Sequence, residues 1–259
     1  MRRVAHWAPV FLLLFAWYQA AEGVGVLWLN QPAIAAAIML GFLPLAWIAA
    51  RALGARPAVA YGLCWSGRNA AWLAAGLALA LAAKAISLAV GTALNIVVPA
   101  AAPPAAPAAW QAAGALGWLA LATFVPSLAE DILARGFWSR LPAWHWSAPG
   151  FVLSTSLVYT LNHVYRLKNG PAEWFMLFCF GLLYATAFWR SGTLWAAVGL
   201  HWGWNLAGQS IPLGWPTEVV DPVSARLLSG LTHLAMLALV LGITPCVGLR
   251  RARPAPPGG

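Results

Sequence analysis

Long apolar blocks constrain this chain more than any other feature of its sequence. Of its 259 residues, 62% are hydrophobic and only 8% are charged, and the mean hydropathy is +0.74. Blocks of about 20 apolar residues can cross the hydrocarbon core of a bilayer as α-helices. The sequence therefore predicts an all-α, polytopic transmembrane helix bundle with about eight spans. The predicted spans are residues 7–29, 33–50, 71–97, 114–141, 149–165, 172–189, 194–211 and 227–249.

Basic residues lie mostly on one side of this predicted bundle. When the spans are counted from a cytoplasmic N-terminus, eleven arginines fall on or near the cytoplasmic side and three basic residues fall on the outer side. Because cytoplasmic loops are enriched in positive charge, we expect both termini in the cytoplasm. The net charge of +9 is explained by this topology and by anionic lipid, and no motif indicates nucleic-acid binding. The composition, rich in Ala, Trp and Arg, points to a bacterial inner (plasma) membrane. The eleven arginines are Arg2, Arg3, Arg51, Arg56, Arg68, Arg135, Arg140, Arg190, Arg250, Arg251 and Arg253, and the other three residues are Arg166, Lys168 and Arg226.

The first span has a competing interpretation as a signal peptide. Arg2 and Arg3 precede an apolar stretch, and the small residues around Ala20 resemble a cleavage site. The apolar character resumes at residues 24–29, however, and removal of one span would reverse the charge bias. We therefore assign the first span to the bundle.

Two adjacent acids lie in the fourth predicted span. Only six Asp and Glu residues occur in the chain, and Glu130 and Asp131 are neighbours in an apolar run that Arg135 follows. A carboxylate away from water is costly unless it is paired. On a helix, Asp131 and Arg135 share a face and can form an ion pair, whereas Glu130 points about 100° away and can face a cavity as a general base. The alternative is a structural network of all three residues. Pro126 predicts a kink close to Glu130.

Two further polar clusters follow at helical spacing. Tyr159 and His163 share one face of the fifth span, and His201 and Asn205 share one face of the seventh. His201 and Asn205 can both donate hydrogen bonds, which suits an oxyanion that develops between them. Taken alone, each cluster is also explained by hydrogen bonds between neighbouring helices.

Small residues in the seventh span predict a close helix contact. Gly199 and Gly203 are four positions apart, so they leave one side of the helix open to another backbone.

Two other intramembrane polar residues, Lys84 and His233, are left out of the predicted site. Lys84 is expected to snorkel or pair, and His233 has no companion three or four positions later in the last span.

The three clusters, in this order, resemble the motifs of the CPBP family of intramembrane proteases. That family includes the type II CAAX prenyl endopeptidases and the bacterial proteins similar to lysostaphin resistance protein A. Its pattern is Glu-Glu-x-x-x-Arg, then Phe-x-x-x-His, then His-x-x-x-Asn, each on a separate helix. Residues 190–195, before the third cluster, also resemble the family. The resemblance divides the chain into N-terminal helices without a motif (1–110), protease-like catalytic helices (111–211), and a last transmembrane helix with a basic, Pro-rich cytoplasmic tail (212–259).

The resemblance implies an intramembrane endopeptidase. Glu130 and His163 would activate a water that attacks the scissile carbonyl, and His201 and Asn205 would stabilise the oxyanion. The substrate would be a membrane-associated or hydrophobic peptide or protein within the lipid bilayer. The sequence specifies neither that substrate, including whether it is prenylated, nor the oligomeric state.

This chain departs from the family pattern at two supporting positions. Asp131 replaces the second Glu, which shortens the side chain by one methylene, and Tyr159 replaces Phe. If the second acid must reach the substrate, the change impairs activity. If it pairs with Arg135, the change is mild because contact between Asp131 and Arg135 remains feasible.

The sequence leaves metal dependence open. Glu130, His163 and His201 form a candidate set of two histidines and one carboxylate for a catalytic zinc. No His-Glu-x-x-His helix is present, and the resemblance favours a Glu-activated water without a required metal or other cofactor. We therefore favour the metal-free mechanism.

The predicted depths of the three groups do not agree. Glu130 and His201 fall near the middle of their spans, whereas His163 falls close to the outer end of the fifth. A shared water requires a common depth. Either the fifth helix extends toward Leu167, or residues 137–149 re-enter the membrane and shift its register.

Two other classes of function compete with the protease. A non-proteolytic membrane scaffold or bacteriocin-immunity protein would keep the same fold and use its polar cluster to bind a partner. A small-substrate transporter would use intramembrane charges for binding or proton coupling. The sequence lacks the paired halves that many transporters show.

Overall fold

The computed structural model describes residues 7–100, 109–139 and 145–243, with the side chains of residues 109–112 left out. Within these ranges the chain is mostly helical and adds one short pair of strands. The elements in chain order are α1 (Trp7–Ala20), π1 (Ala21–Trp28), α2 (Pro32–Ala52), α3 (Pro57–Ala60), α4 (Gly67–Ala93), β1 (Val97–Pro99), α5 (Ala109–Asp131), π2 (Ile132–Gly136), α6 (Phe137–Ser139), α7 (Ala148–Leu161), a 3-10 turn (Leu167–Asn169), α8 (Pro171–Ser191), α9 (Leu194–Gly214), β2 (Thr217–Val219) and α10 (Pro222–Ile243).

The all-α bundle predicted from the apolar blocks is confirmed. In the described ranges, six helical segments are long and apolar enough to cross a membrane, rather than eight. The fifth predicted span is the shorter helix α7, with 14 residues. The seventh is α9, whose His, Asn and Gln residues lower its hydropathy. The six segments are Trp7–Trp28, Pro32–Ala52, Gly67–Ala93, Ala113–Ser139, Pro171–Ser191 and Pro222–Ile243.

Two predicted helices end four residues earlier in the structure, and a third changes its geometry within the predicted range. The third span ends at Ala93 instead of residue 97, because the backbone turns at Asn95 with φ 55° and then enters β1. The fourth changes from α to π geometry after Asp131. The fifth ends at Leu161 instead of residue 165.

Local signals account for several helix ends. Ser66 precedes α4 and its Oγ accepts from the backbone N–H of Asn69 at 3.2 Å. Asp221 precedes α10 and its Oδ1 accepts from the backbone N–H of Ser224 at 3.1 Å. Hydrogen bonds from Ser224 hold the pKa of the Asp221 carboxyl below its usual value. Helix α8 ends at Ser191 and is followed by Gly192, whose φ of 74° lies in the left-handed region.

Helix α9 lies at the centre of the bundle. It packs along α4 and also contacts α5 and α8, and α8 packs against α7 and α10. The close contact predicted at the glycines of α9 is confirmed, because the backbone of Leu73 in α4 lies directly against Gly199. A Cβ at Gly203 would lie 2.7 Å from the carbonyl oxygen of Leu77. Helix α4 therefore touches the segment that carries His201.

A two-stranded ladder joins two connections of the bundle. Strand β1, which follows α4, pairs antiparallel with β2, which links α9 to α10. Val97 is opposite Val219, and Pro99 is opposite Thr217. The ladder ties the ends of α4 and α9 together.

Some predicted features lie outside the described residues. These are the start of the chain before Trp7, Arg140, and the basic, Pro-rich tail from residue 244 onward, with Arg250, Arg251 and Arg253.

The glycine contact between α4 and α9 predicts opposite effects for the same substitution at two sites. Gly203→Ala should lower stability by about 1–3 kcal/mol, because the added methyl meets the α4 backbone. Gly117→Ala should leave stability unchanged or raise it by up to about 1 kcal/mol, because Ala favours helix and no atom lies within 4 Å of the added carbon. Thermal unfolding of the purified full chain in detergent checks both. Equal shifts for the two variants would contradict the close contact.

Candidate active site

The two acids lie where α5 changes into a π-helix. Helix α5 ends at Asp131, and Ile132–Gly136 forms π2. Arg135 Nη1 donates to Asp131 Oδ1, which is the ion pair that the spacing predicts. Both side chains are fully buried. One-turn π segments inside α-helices are frequent at functional sites.

Asp131 also contacts the histidine of α9. Its Oδ2 lies 3.5 Å from His201 Nδ1. Neither of these two atoms makes a hydrogen bond in the structure, so the groups are neighbours without a direct bond. Asp131 was expected to be neutralised by Arg135; the structure adds that its second oxygen lies beside His201. The shorter acid at this position reaches Arg135.

Glu130 lies between two histidines from different parts of the chain. Its Oε1 is 3.3 Å from His163 Nε2, and its Oε2 is 3.5 Å from His201 Nε2. Glu130 is 5% exposed and His201 is 2% exposed, whereas the His163 side chain is 13% exposed. His163 is therefore the side on which water most easily reaches the carboxylate.

The orientation of His163 is fixed by its own helix end. Its Nδ1 lies 2.9 Å from the Tyr159 carbonyl oxygen. A carbonyl only accepts, so Nδ1 carries a proton. His163 Nε2 therefore faces Glu130 Oε1 with its ring orientation fixed at the other nitrogen.

The end of α7 determines the position of His163 relative to Glu130. The proposed extension toward Leu167 is wrong, because α7 ends at Leu161 and His163 lies in the turn that follows. The turn brings the ring of His163 within reach of Glu130. The alternative that residues 137–149 re-enter the membrane falls partly on residues 140–144, which lie outside the described residues.

Tyr159 packs beneath the polar groups. It is buried, its ring lies 4.5 Å from Arg135 Cζ, and its centroid is 5.8 Å from that of His201. Its ring centroid is also 4.9 Å from that of His163. Tyr159 thus contacts residues of all three motifs, which gives this aromatic position a packing role.

Asn205 stands apart from the other predicted residues. Its Nδ2 donates to Ser127 Oγ at 3.0 Å, and Ser127 in turn donates to the Thr123 carbonyl. Within the described part of the chain, no hydrogen bond joins Asn205 to Glu130 or His163. Asn205 instead lines a cavity of about 280 Å³. One of its two amide hydrogens remains for a ligand.

The first helix contributes residues that the sequence analysis missed. Asn162 Nδ2 donates to Glu130 Oε1 at 3.4 Å, and Gln19 Nε2 donates to the Asn162 carbonyl at 2.7 Å. The phenol of Tyr18 interacts with Glu130 as well. The sequence feature that could have identified these residues is the polar Tyr18-Gln19 pair inside an apolar span. The first span therefore packs onto the site.

His233, which was left out of the site, supports it through a tyrosine. The Tyr184 hydroxyl and His233 Nε2 are 3.0 Å apart, and the Tyr184 ring stacks on His201 with centroids 4.9 Å apart. His233 Nδ1 lies 2.8 Å from the Ser229 carbonyl oxygen, so Nδ1 donates and Nε2 accepts from Tyr184. Sequence spacing could not reveal this link, because the residues lie on three helices.

The residues present do not form a recognisable metal site. Among the residues that the structure describes, no group of three or more His, Cys, Asp and Glu side chains could hold a metal ion. In the candidate zinc set, His163 and His201 face different oxygens of Glu130. We therefore derive no step through a metal.

Comparison with known families supports the resemblance that the three motifs indicate. A family model described as type II CAAX prenyl endopeptidase Rce1-like matches residues 112–207. The match contains all three clusters and confirms the resemblance; residues 1–111 and 208–259 lie outside it. No curated protein and no solved structure matched the chain.

The buried pair of Asp131 and Arg135 predicts a large single-site effect. Asp131→Asn should destabilise the protein by about 3–5 kcal/mol, because it leaves the guanidinium buried without a counter-charge. The double variant Asp131→Asn, Arg135→Met should be more stable than the single variant, because both charges are gone. Glu218→Gln, at an exposed position of β2, serves as the control and should change stability by less than about 0.5 kcal/mol. Thermal unfolding in detergent measures all three, and a double variant that is no more stable than Asp131→Asn would contradict the coupling of the pair.

Proposed function

We propose that this protein is an intramembrane endopeptidase that hydrolyses a peptide bond of a membrane-associated substrate. At the family level, a CAAX-type intramembrane protease is supported by the match over residues 112–207. The observation that carries the finer proposal is the carboxylate of Glu130, which faces Nε2 of His163 at one oxygen and Nε2 of His201 at the other.

In the proposed mechanism, Glu130 is the general base. It takes a proton from a water that enters on the side of His163, and the resulting hydroxide adds to the scissile carbonyl carbon. His163 keeps its orientation through the Tyr159 carbonyl and donates from Nε2 to the carboxylate. The carbon–nitrogen bond then breaks, and the proton held by Glu130 passes to the leaving amine. One water is consumed and no net proton is gained or lost by the protein.

The stabilisation of the oxyanion in the tetrahedral intermediate is assigned to two side chains of α9. His201 has its Nδ1 3.5 Å from Asp131 Oδ2, and its Nε2 is the atom assigned to donate to the oxyanion. Asn205 supplies its remaining amide hydrogen one turn further along. Asp131, Arg135 and Tyr159 act as supporting residues.

The proposed setting is the bacterial inner membrane with both chain termini in the cytoplasm. Six apolar helical segments support an integral membrane protein, and the arginine distribution supports the orientation. The substrate is a membrane-anchored or hydrophobic peptide or protein, and no cofactor is required.

Removal of the proposed base tests the function directly. Glu130→Gln should lower peptide cleavage by about 10²–10⁴-fold, because the amide cannot take the proton. The measurement is quantitative mass spectrometry of new peptide termini in membranes from cells that produce wild type or variant at equal level. Peptides retained by Glu130→Gln identify substrates.

The matched control for this experiment is Glu218→Gln, the same change at an exposed acid far along the chain. It should cleave as wild type does. A cellular phenotype and a set of cleavage products that are unchanged in both Glu130→Gln and His201→Ala would exclude the protease and favour the scaffold.

The metal-free mechanism predicts insensitivity to chelation. Cleavage by the purified full chain in proteoliposomes should be the same before and after exhaustive treatment with EDTA or 1,10-phenanthroline. Loss of activity that zinc restores would contradict it, because a required metal ion must then take part.

A further inference from the structure

Two arginines at the end of α2 line one cavity. Arg51 lies in the last turn of α2, and Arg56 directly precedes α3. Both side chains are exposed, and both line a cavity of about 340 Å³ together with Trp47 and Cys64. Because a guanidinium group matches the geometry of a phosphate or a carboxylate, two of them at one cavity indicate a site for an anion.

In the described ranges, no acidic side chain forms an ion pair with either arginine. All six acidic residues of the chain fall in these ranges. Residues 23–129 contain no acid at all, so none is close along the chain. Two like charges at one cavity repel each other, and a bound anion would replace this repulsion with attraction.

The backbone between the two arginines is already fixed. Gly54 has a φ of 74°, its N–H donates to the Arg51 carbonyl at 2.8 Å, and the N–H of Ala55 donates to the Ala50 carbonyl at 2.9 Å. This is the hydrogen-bonded helix end that a left-handed glycine permits. Only the arginine side chains therefore need to be ordered when a ligand binds, which lowers the entropic cost of binding.

An apolar face of α2 leads from this cavity into the predicted membrane. Leu40, Pro44, Trp47 and Arg51 follow one another at helical spacing, and all four are exposed. Helix α2 has 21 residues and rises about 31 Å, close to the thickness of about 30 Å of the hydrocarbon core. Arg51, in the last turn, therefore lies at the level of the lipid headgroups.

We propose that Arg51 and Arg56 bind the phosphate of an anionic phospholipid, whose acyl chain lies along the exposed face of α2. A soluble phosphate would meet the same two guanidinium groups but would gain nothing from Leu40 and Trp47. A zwitterionic phospholipid fits less well, because its ammonium group would find two positive charges and no acid at the cavity.

The residues after Arg56 connect this cavity to the helices that carry the motifs. Ser139 Oγ, at the end of α6, donates to the Ala60 carbonyl at 3.4 Å. The N–H of Leu194, at the start of α9, donates to the Gly62 carbonyl at 2.9 Å. A lipid that orders this segment therefore also stabilises the packing of α6 and α9. Lipid binding and this stabilisation do not depend on the proposed protease activity.

The first measurement is the Kd of the first lipid bound, by native mass spectrometry of the delipidated full chain in nonionic detergent. Dioleoylphosphatidylglycerol should bind more tightly than dioleoylphosphatidylcholine. Arg51→Gln and Arg56→Gln should each raise the Kd for phosphatidylglycerol about 5-fold, because each removes one charge at the membrane surface. Arg68→Gln is the matched control, since Arg68 is exposed at the start of α4 and does not line the cavity; it should leave the Kd unchanged.

Cys64 reports on the occupancy of the cavity without any substitution. Its thiol is exposed and lines the same cavity, whereas Cys179 is buried. The wild type is treated with N-ethylmaleimide, and labelling of the peptide that contains Cys64 is followed by mass spectrometry. With phosphatidylglycerol at ten times its Kd, about one site in eleven is free, so labelling should slow about 10-fold. Phosphatidylcholine and inorganic phosphate at the same concentration should leave the rate unchanged.

The same lipid should also stabilise the fold. At ten times its Kd, phosphatidylglycerol should raise the midpoint of thermal unfolding of the wild type by about 3–5 °C. The shift should fall to less than half in the double variant Arg51→Gln, Arg56→Gln. Arg68→Gln should keep the full shift.

Four results would overturn the proposal. Equal protection of Cys64 by phosphatidylglycerol and phosphatidylcholine would show that the cavity does not select charge. Equal protection by inorganic phosphate would assign the cavity to a soluble anion. A Kd that neither Arg51→Gln nor Arg56→Gln changes would place the lipid elsewhere. A loss with Arg68→Gln as large as with Arg51→Gln would assign binding to the overall surface charge.

Discussion

The two oxygens of the Glu130 carboxylate meet two histidines that come from separate parts of the chain, at 3.3 and 3.5 Å. A buried carboxylate is tolerated only when such partners are supplied. Helix α5, the turn after α7 and helix α9 must therefore converge on one point. The two oxygens of the Asp131 carboxylate likewise have different neighbours, Arg135 and His201. His201 thus has an acidic oxygen 3.5 Å from each ring nitrogen, and rotation of α9 would move it away from both acids.

Aromatic rings packed around this point hold the polar side chains in place. Tyr184 stacks on His201 and is held by His233, while Tyr159 lies under Arg135. These rings exclude water from one side of the acids, which strengthens each polar contact on that side. The glycine contact between α4 and α9 fixes the depth of His201. The site is therefore supported by helices α4, α8 and α10, which carry none of the three motifs.

The sequence predicted the features that depend on local spacing. The apolar blocks predicted the bundle, and the spacing of Asp131 and Arg135 predicted their ion pair. The contact of Gln19 with Asn162 could not be predicted, because the two residues are 143 positions apart and no periodic pattern encodes that distance. The same holds for Tyr184 and His233. The π-helix after Asp131 was missed because hydrophobic periodicity over five residues does not distinguish it from an α-helix. The roles assigned to the site residues stay predictions.

The short helix α7 has a consequence for the surrounding lipid. Its 14 residues rise about 21 Å, whereas the hydrocarbon core of a bilayer is about 30 Å thick. Where a spanning element is shorter than this core, the bilayer thins beside it or polar chain is drawn into it. The deformation would lie next to His163, which is more exposed than Glu130 and His201. Hydrophobic mismatch at α7 would therefore shorten the path of water from the membrane surface to His163.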